Sequence, residues 1–310
     1  MMRAVANDLS RLKAENSGVI LGQIGVEVSA CEGNCQYCVF GKDHTQVSKR
    51  RATNEEIALK AQEFAGQGDL YGIFLMAMHS FELDVILNAV KIVKKNIPEH
   101  TQIWVNIGDA DINTYQELGK AGVKGAYHVS RLREGIDTDL SPKARRSSME
   151  AIISAGLDLY TCCEPIGPEH TVQEIVDNFF IGIELGCFQH AAMRRVAVPG
   201  VPLSVYGQIT ELRLAQIVAV ITLATLNLKS MRYIGVHEPN QLGLLSGANV
   251  ATAESGANPR DNNSETSKGR GLCMADCRKM LFEAGFTSIR RGDDSMIPLD
   301  FDYLLEMKSV

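Results

Sequence analysis

The sequence lacks any long apolar run. Its longest, residues 214–226, is interrupted by Gln216 and Thr222, whereas a helix that crosses a bilayer needs about 20 predominantly apolar residues. A membrane-spanning protein is therefore not expected. It also lacks a surplus of positive charge, with a net charge of −6 and 22% charged residues. Binding to polyanions leaves a basic footprint, so nucleic acid and anionic membrane surfaces are excluded as expected partners. The first residues are polar and mixed in charge, without the apolar core of a secretion signal. Beyond one recurring alternation of strand-like and helix-like segments there is no repeat, and there is no low-complexity tail.

Cysteine is not scarce, but a disulfide framework is not the expected use of the eight thiols. Two of them, Cys162 and Cys163, are adjacent, which suits metal or redox chemistry better than a stapled fold. A reducing, oxygen-poor cytoplasm is the expected location.

A chain of 310 residues that is 45% hydrophobic can bury one large core or two small ones. Short β-rich runs fall at residues 24–30, 70–76, 102–107, 125–130, 157–163, 191–198, 231–236 and 249–252. Between them lie segments with apolar residues at three- and four-residue intervals, at 55–66, 81–95, 113–121, 141–155, 171–185 and 210–226. Asn54 before two glutamates reads as a helix cap, and Ser141-Pro142 puts proline at the first helical position. Eight strands alternating with helices predict an α/β fold, a (β/α)8 TIM-type barrel in a single domain, with an open doubly wound sheet as the alternative. Residues 1–20 read as an N-terminal extension. Residues 254–271, rich in Gly, Asn and Ser, read as a long loop, and a helix over 272–285 is expected to close the barrel within 254–290. In either fold, ligands gather at the carboxyl ends of the strands.

The segment Cys31-Glu32-Gly33-Asn34-Cys35-Gln36-Tyr37-Cys38 directly follows the first strand. Three thiolates can ligate three irons of a four-iron cluster and leave the fourth iron free for a small molecule. A zinc site would need a fourth ligand, and no second pair follows at zinc-finger distance. A redox pair of Cys35 and Cys38 would leave Cys31 idle. Gly33 is expected to permit the tight loop, and Tyr37 and Phe40 to shield it. Elsewhere, Cys273 and Cys277 stand at i and i+4 on one helix face. Together with Cys162, Cys163 or both, and with His237 as a further ligand, they suggest a second metal site; two buried thiols are the alternative. Cys187 reads as a buried structural thiol.

The spacing Cys-x3-Cys-x2-Cys with an aromatic residue before the last cysteine resembles the signature of the radical S-adenosylmethionine (SAM) superfamily. The resemblance implies a [4Fe-4S] cluster on Cys31, Cys35 and Cys38, with SAM on the free iron. It places adenine against the backbone near Tyr37 and against Ile166. It places the SAM amino group at the carbonyls of Ala77 and Met78, although the usual Gly-Gly-Glu is missing. At the end of the fourth strand, Ser130, Arg131, Arg133 and Glu134 would face a polar ligand, the arginines as carboxylate forks and Glu134 at the ribose.

Residues 28–40, 155–157, 165–171, 198–203 and 246–249 together resemble the biotin synthase-like branch. That likeness implies sulfur insertion into a dethiobiotin-like small molecule from an auxiliary iron–sulfur cluster, an electron donor such as flavodoxin or ferredoxin, and a homodimer. The chain departs from that branch where Leu75 and Trp104 replace thiols and His237 replaces an arginine, so Cys273 and Cys277 would have to rebuild the auxiliary cluster. Lipoyl synthase-like sulfur insertion, carbon-skeleton chemistry of the methylornithine synthase kind, hydrogenase cofactor maturation and a non-catalytic iron–sulfur carrier are the competing readings. Two clusters imply about eight irons per chain, falling to about four without Cys273 and Cys277.

Overall fold

Several strand segments are short and apolar, GIFLM over Gly72–Met76 for example, as strands covered on both faces tend to be. In the computed structural model, which describes residues 1–255 and 272–306, eight such strands run parallel. They are β1 (Ser17–Gly25), β2 (Gly72–Met76), β3 (Gln102–Asn106), β4 (Val123–Tyr127), β5 (Asp158–Ile166), β6 (Gln189–Arg194), β7 (Tyr233–His237) and β8 (Val250–Ser255). Each pairs with its successor, and β1 pairs with β8 from Val19 opposite Val250 to Ile24 opposite Ser255. This last ladder closes a (β/α)8 barrel and removes the open-sheet alternative.

The main helices are α1 (Met2–Lys13), α2 (Asn54–Ala65), α3 (Leu83–Asn96), α4 (Ile112–Ala121), α5 (Pro142–Ser154), α6 (Val172–Glu184), α7 (Glu211–Thr225), α8 (Gln241–Leu244) and α9 (Met274–Glu283). Those from α2 onward follow the barrel strands in turn. Their starts are set by local hydrogen bonds. Thr53, not Asn54, caps α2: its hydroxyl accepts from the Glu56 N–H and the Glu56 carboxylate accepts from the Thr53 N–H. Ser141 caps α5 with Pro142 next, and Thr171 with Glu174 repeats the reciprocal cap at α6.

Two expectations about the N-terminal part are corrected. The first strand lies earlier than residues 24–30, because the chain leaves the barrel after Gly25 and Glu27–Val28 pairs instead with Arg50–Arg51, where Glu27 accepts from Arg51 at 2.7 Å. Residues 2–13 form a helix that seals the barrel end opposite the strand carboxyl termini. Ser10 donates to the Gly247 carbonyl, Arg11 to that of Ala284, and Lys13 to those of Leu226 and Leu228. Of the expected loop over residues 254–271, residues 254 and 255 instead end β8, and 256–271 lie outside the described residues.

The core has two layers. Ile57, Phe64, Ile86, Leu118, Ile152, Phe179 and Leu214 fill the space between helices and strands. Inside the barrel, Tyr71, Phe74, Trp104, Tyr160 and Tyr233 pack with Val19, Leu21 and Val250. Ring centroids stand 5.5 Å apart for Phe74 and Trp104, and 5.8 Å for Phe74 and Tyr160. This aromatic floor plugs the lower barrel and leaves space only above it. Gly125 makes room for Trp104: a Cβ there would stand 2.3 Å from the indole ring and 2.5 Å from the Asp158 carbonyl oxygen. Gly125→Ala is therefore expected to destabilise the fold by about 1–3 kcal/mol through overpacking, read as a lower urea midpoint with an unchanged m-value.

Candidate functional site

At the carboxyl ends of the strands, side chains from all eight surround one cavity enclosing about 1320 Å3 of space open to solvent. Gln23 of β1, Met76 of β2, Asn106 of β3, Tyr127 of β4, Glu164 of β5, Arg194 of β6, His237 of β7 and Thr252 of β8 all reach it. The aromatic floor contributes Phe74 and Tyr160.

One wall is the loop bearing Cys31, Cys35 and Cys38, all three of which line the cavity. The loop is built by its own main chain. The Cys31 N–H donates to the Phe40 carbonyl at 2.7 Å, that of Cys38 to Cys35 at 3.0 Å, and that of Lys42 to Cys31 at 3.2 Å. The rest of the barrel mouth grips it from outside. Gln36 N–H donates to Asp137, Asp139 N–H to Gly33, and Leu203 N–H to Gln36. Thus the stretch 198–203 acts as a clamp on the thiol loop. Beneath, Val28, Val39, Phe40, Met78, Val196, Val198 and Val201 form an apolar bed. The left-handed residue of the loop is Asn34, at φ 46°, rather than Gly33. Asn34 tolerates this because its side chain bonds Asp43 and Asp139. Gly33 is needed for closeness, since a Cβ would stand 3.2 Å from Leu140.

The main-chain bonds of the loop leave the thiols of Cys31 and Cys38 facing the cavity, and the Cys35 thiol donates to the Gly33 carbonyl at 3.7 Å. Burial pushes the Cys35 and Cys38 thiols up, and the Arg131 cation opposes this at Cys35. Among the described residues no three His, Cys, Asp or Glu side chains converge on a single metal ion. A cubane makes no such demand, because each thiolate takes a different iron. A donor set of three thiols and no carboxylate fits an iron–sulfur cluster with one open iron.

Of the residues expected from sequence, Cys31, Cys35, Cys38, Tyr37, Ala77, Met78, Arg131 and His237 meet at this cavity. The others are placed elsewhere. Arg133 turns outward to Glu174 at 2.7 Å. Glu134 is buried behind the wall, accepting from the Arg131 N–H and from Thr138. The Ser130 carbonyl is bonded by Asn178. Cys163 and Ile166 both face the helical layer, although they stand three apart, because the pairing of β5 with β6 shifts register between them; the Cys163 thiol donates to the Ile175 carbonyl of α6. Cys162 points into the barrel but is packed with Tyr160 and Ala191, 2% exposed.

The late pair does not reach the mouth. Cys273 is exposed at the start of α9 bonding Asp276, and Cys277 is buried between α9 and the outer barrel wall. The expected second site of Cys162, Cys163, Cys273, Cys277 and His237 is thus not assembled. The spacing of the late pair predicts one helix face for both thiols, but Cys273 precedes the first helical residue and α9 packs on the barrel exterior. His237 instead bonds the Tyr160 hydroxyl at 2.5 Å.

Several site groups carried no sequence signal. Glu164, 3% exposed, accepts from the Tyr127 hydroxyl and lies 3.4 Å from Arg131. Asp109 joins the ends of β3 and β4, accepting from His128 at 3.0 Å and from Arg145 at 2.8 Å. Burial and the Arg145 cation push His128 down to about 3, against the pull of Asp109. Burial works against the Asp109 carboxylate, but His128 and Arg145 outweigh it and hold the group at about 2. Each of these residues is an isolated polar letter at a strand end, so only the shared position after a strand could have flagged it.

No protein-family model matches the sequence, and no curated protein is similar enough in sequence to match. Solved structures do match in shape. Methylornithine synthase (PylB) aligns with a TM-score of 0.74 at 16% identity, over 92% of this chain and 87% of that one. The FeFe-hydrogenase maturase HydG from Carboxydothermus hydrogenoformans aligns at 0.70 and 17%, over 94% and 72%. Streptococcus suis SuiB bound to S-adenosylmethionine aligns at 0.52 and 11%, over 80% and 53%. At these identities the likeness is one of fold. The carboxyl transferase domain of Rhizobium etli pyruvate carboxylase shares the barrel too, at 0.54, so the barrel alone does not name a chemistry.

The buried His128 yields a prediction. Its ordinary value is 6.5 and its folded value about 3, so below pH 6.5 the unfolded chain takes up a proton that the folded chain refuses. Stability therefore falls on acidification through this window, and Asp109 adds to the fall between 3.8 and about 2. His128→Asn is expected to show a shallower decline in urea midpoint between pH 6.5 and 4 than the wild type. Equal slopes would mean that His128 is not buried neutral.

Proposed function

We propose that this protein is a radical SAM enzyme that acts on the carbon skeleton of a small polar molecule, in the chemical class of methylornithine synthase and of hydrogenase cofactor maturation. The observation that carries the reading is that three thiols from one clamped loop line a large cavity to which all eight strands contribute. Among the described residues no other thiol lines it. Sulfur insertion of the biotin synthase kind needs a second, sacrificial cluster deeper in the barrel. Here Trp104, Tyr160 and Phe74 fill that depth, and Cys273 and Cys277 lie outside the barrel. The geometry therefore favours the carbon-skeleton reading.

When bound, a four-iron cluster and SAM together supply a carbon-centred radical by one-electron cleavage of SAM. The chain's own residues prepare the place for it. Cys31, Cys35 and Cys38 would ligate the cluster. Arg131 would fork a carboxylate, and the main chain at Ala77 and Met78 would receive an amino group. The apolar bed of Val39, Phe40, Met78 and Val196 keeps water off the loop. On the far side, Tyr127 held by Glu164 and Tyr160 held by His237 present fixed phenols to the cavity. Polar groups locked in this way orient a polar substrate without reorganising. A one-electron donor of the flavodoxin or ferredoxin kind is the partner this chemistry requires.

Anaerobic reconstitution tests the reading. The wild type is expected to hold about four irons and about four sulfides, and to release 5′-deoxyadenosine from SAM under a low-potential reductant. The Cys31→Ala/Cys35→Ala/Cys38→Ala variant is expected to hold none, and Cys273→Ala/Cys277→Ala to hold the wild-type amount. About eight irons in the wild type, falling to about four in the last variant, would return the assignment to sulfur insertion.

A further inference from the structure

The following rests on the radical SAM reading above. Hydrogen bonding at the thiol loop is nearly complete, with one conspicuous remainder. The Tyr37 hydroxyl is buried and has no hydrogen-bond partner of normal geometry. It lies beside the Cys35 thiol, close enough to influence it. A buried donor left without a partner is costly, and such groups in a folded protein call for an explanation.

The neighbouring acceptors are already engaged. Glu134 takes the Arg131 N–H and the Thr138 hydroxyl, and Glu164 takes the Tyr127 hydroxyl. Beside Tyr37 the acceptor that no other side chain engages is the Cys35 sulfur. A neutral thiol accepts hydrogen bonds weakly, whereas an iron-bound thiolate is negatively charged and accepts well. The orphaned hydroxyl is thus matched to the ligated state of Cys35. The Arg131 guanidinium stands beside both groups, and its Nε is likewise buried without a hydrogen-bond partner.

We infer that Tyr37 tunes the cluster, its hydroxyl donating to the Cys35 sulfur with the Arg131 cation alongside, so that the pair raises the reduction potential at this corner of the site. A donor to a ligating sulfur stabilises the reduced cluster, which carries one more negative charge, and hydrogen bonds to sulfur are an established determinant of such potentials. Tyr37 acts through a ligand and is a positioning residue.

The test is a potentiometric titration of the reconstituted protein followed by electron paramagnetic resonance. Tyr37→Phe keeps the ring and removes only the hydroxyl. It is expected to retain the wild-type iron content and to titrate at a more negative potential, with a tenfold weaker reduction equilibrium, about 59 mV for one electron. Arg131→Gln is expected to shift in the same direction, and it carries the test if Tyr37→Phe holds no iron. Wild-type iron with an unchanged midpoint in the variant overturns the inference and leaves the radical reading standing. Absence of iron in the wild type overturns both.

Discussion

Closure of the barrel by the ladder between β1 and β8 is the constraint on which everything else depends. It runs over six residue pairs, from Val19 with Val250 to Ile24 with Ser255. Without it the interior would be one face of a sheet, and the strand ends would lie along a line. With it, eight strand ends form a ring, and groups far apart in sequence, such as Tyr127, Glu164 and His237, face one space. Closure also forces large side chains inward. Trp104, Tyr160 and Tyr71 fill the lower barrel, so the cavity is shallow and its floor aromatic.

The thiol loop depends on that ring in turn. A loop of 11 residues between Cys31 and Gly41 has no secondary structure beyond one bridge between its ends, yet it is held by main-chain bonds to Asp137, Asp139 and Leu203. Those partners come from the loops after β4 and β6. The thiols are thus presented by the mouth as a whole rather than by the loop alone. The polar inner wall shows the same economy. Arg131 is held near Glu164, Tyr127 bonds Glu164, and Tyr160 bonds His237, so these polar groups are oriented by one another.

The likeness in fold to methylornithine synthase and HydG, together with the barrel of a carboxyl transferase domain, separates two kinds of information. The barrel is a scaffold that serves several chemistries. What distinguishes this chain is the loop after the first strand, with its three thiols and Tyr37, and an interior in which no further thiol reaches the open space among the described residues. That distinction turns the functional reading from sulfur transfer toward carbon-skeleton chemistry.

How much was legible in the sequence follows from range. Alternating apolar runs, Ser141-Pro142 and the Cys31–Cys35–Cys38 spacing are local patterns, and local patterns specified the strands, most helices and the thiol motif. Thr53 was missed as a cap in favour of Asn54 because the two differ only in which side chain reaches Glu56. The segment 246–249, read as part of a family signature, sits at the closed end, where the Asn249 side chain accepts the Ile234 N–H. Direction was the information the sequence lacked. Cys162 and Cys163 are neighbours in the chain, but the strand's two-residue period sends one inward and the other against α6. Cys273 and Cys277 have the spacing of one helix face, but Cys273 caps α9 from outside and is exposed, and the docking of α9 on the outer wall buries Cys277 away from the site. By itself the sequence determined that three thiols stand together, because they are closely spaced within one loop. Which other residues join them was left to the tertiary structure, because that depends on strand register and helix docking, set by contacts between segments far apart in the chain.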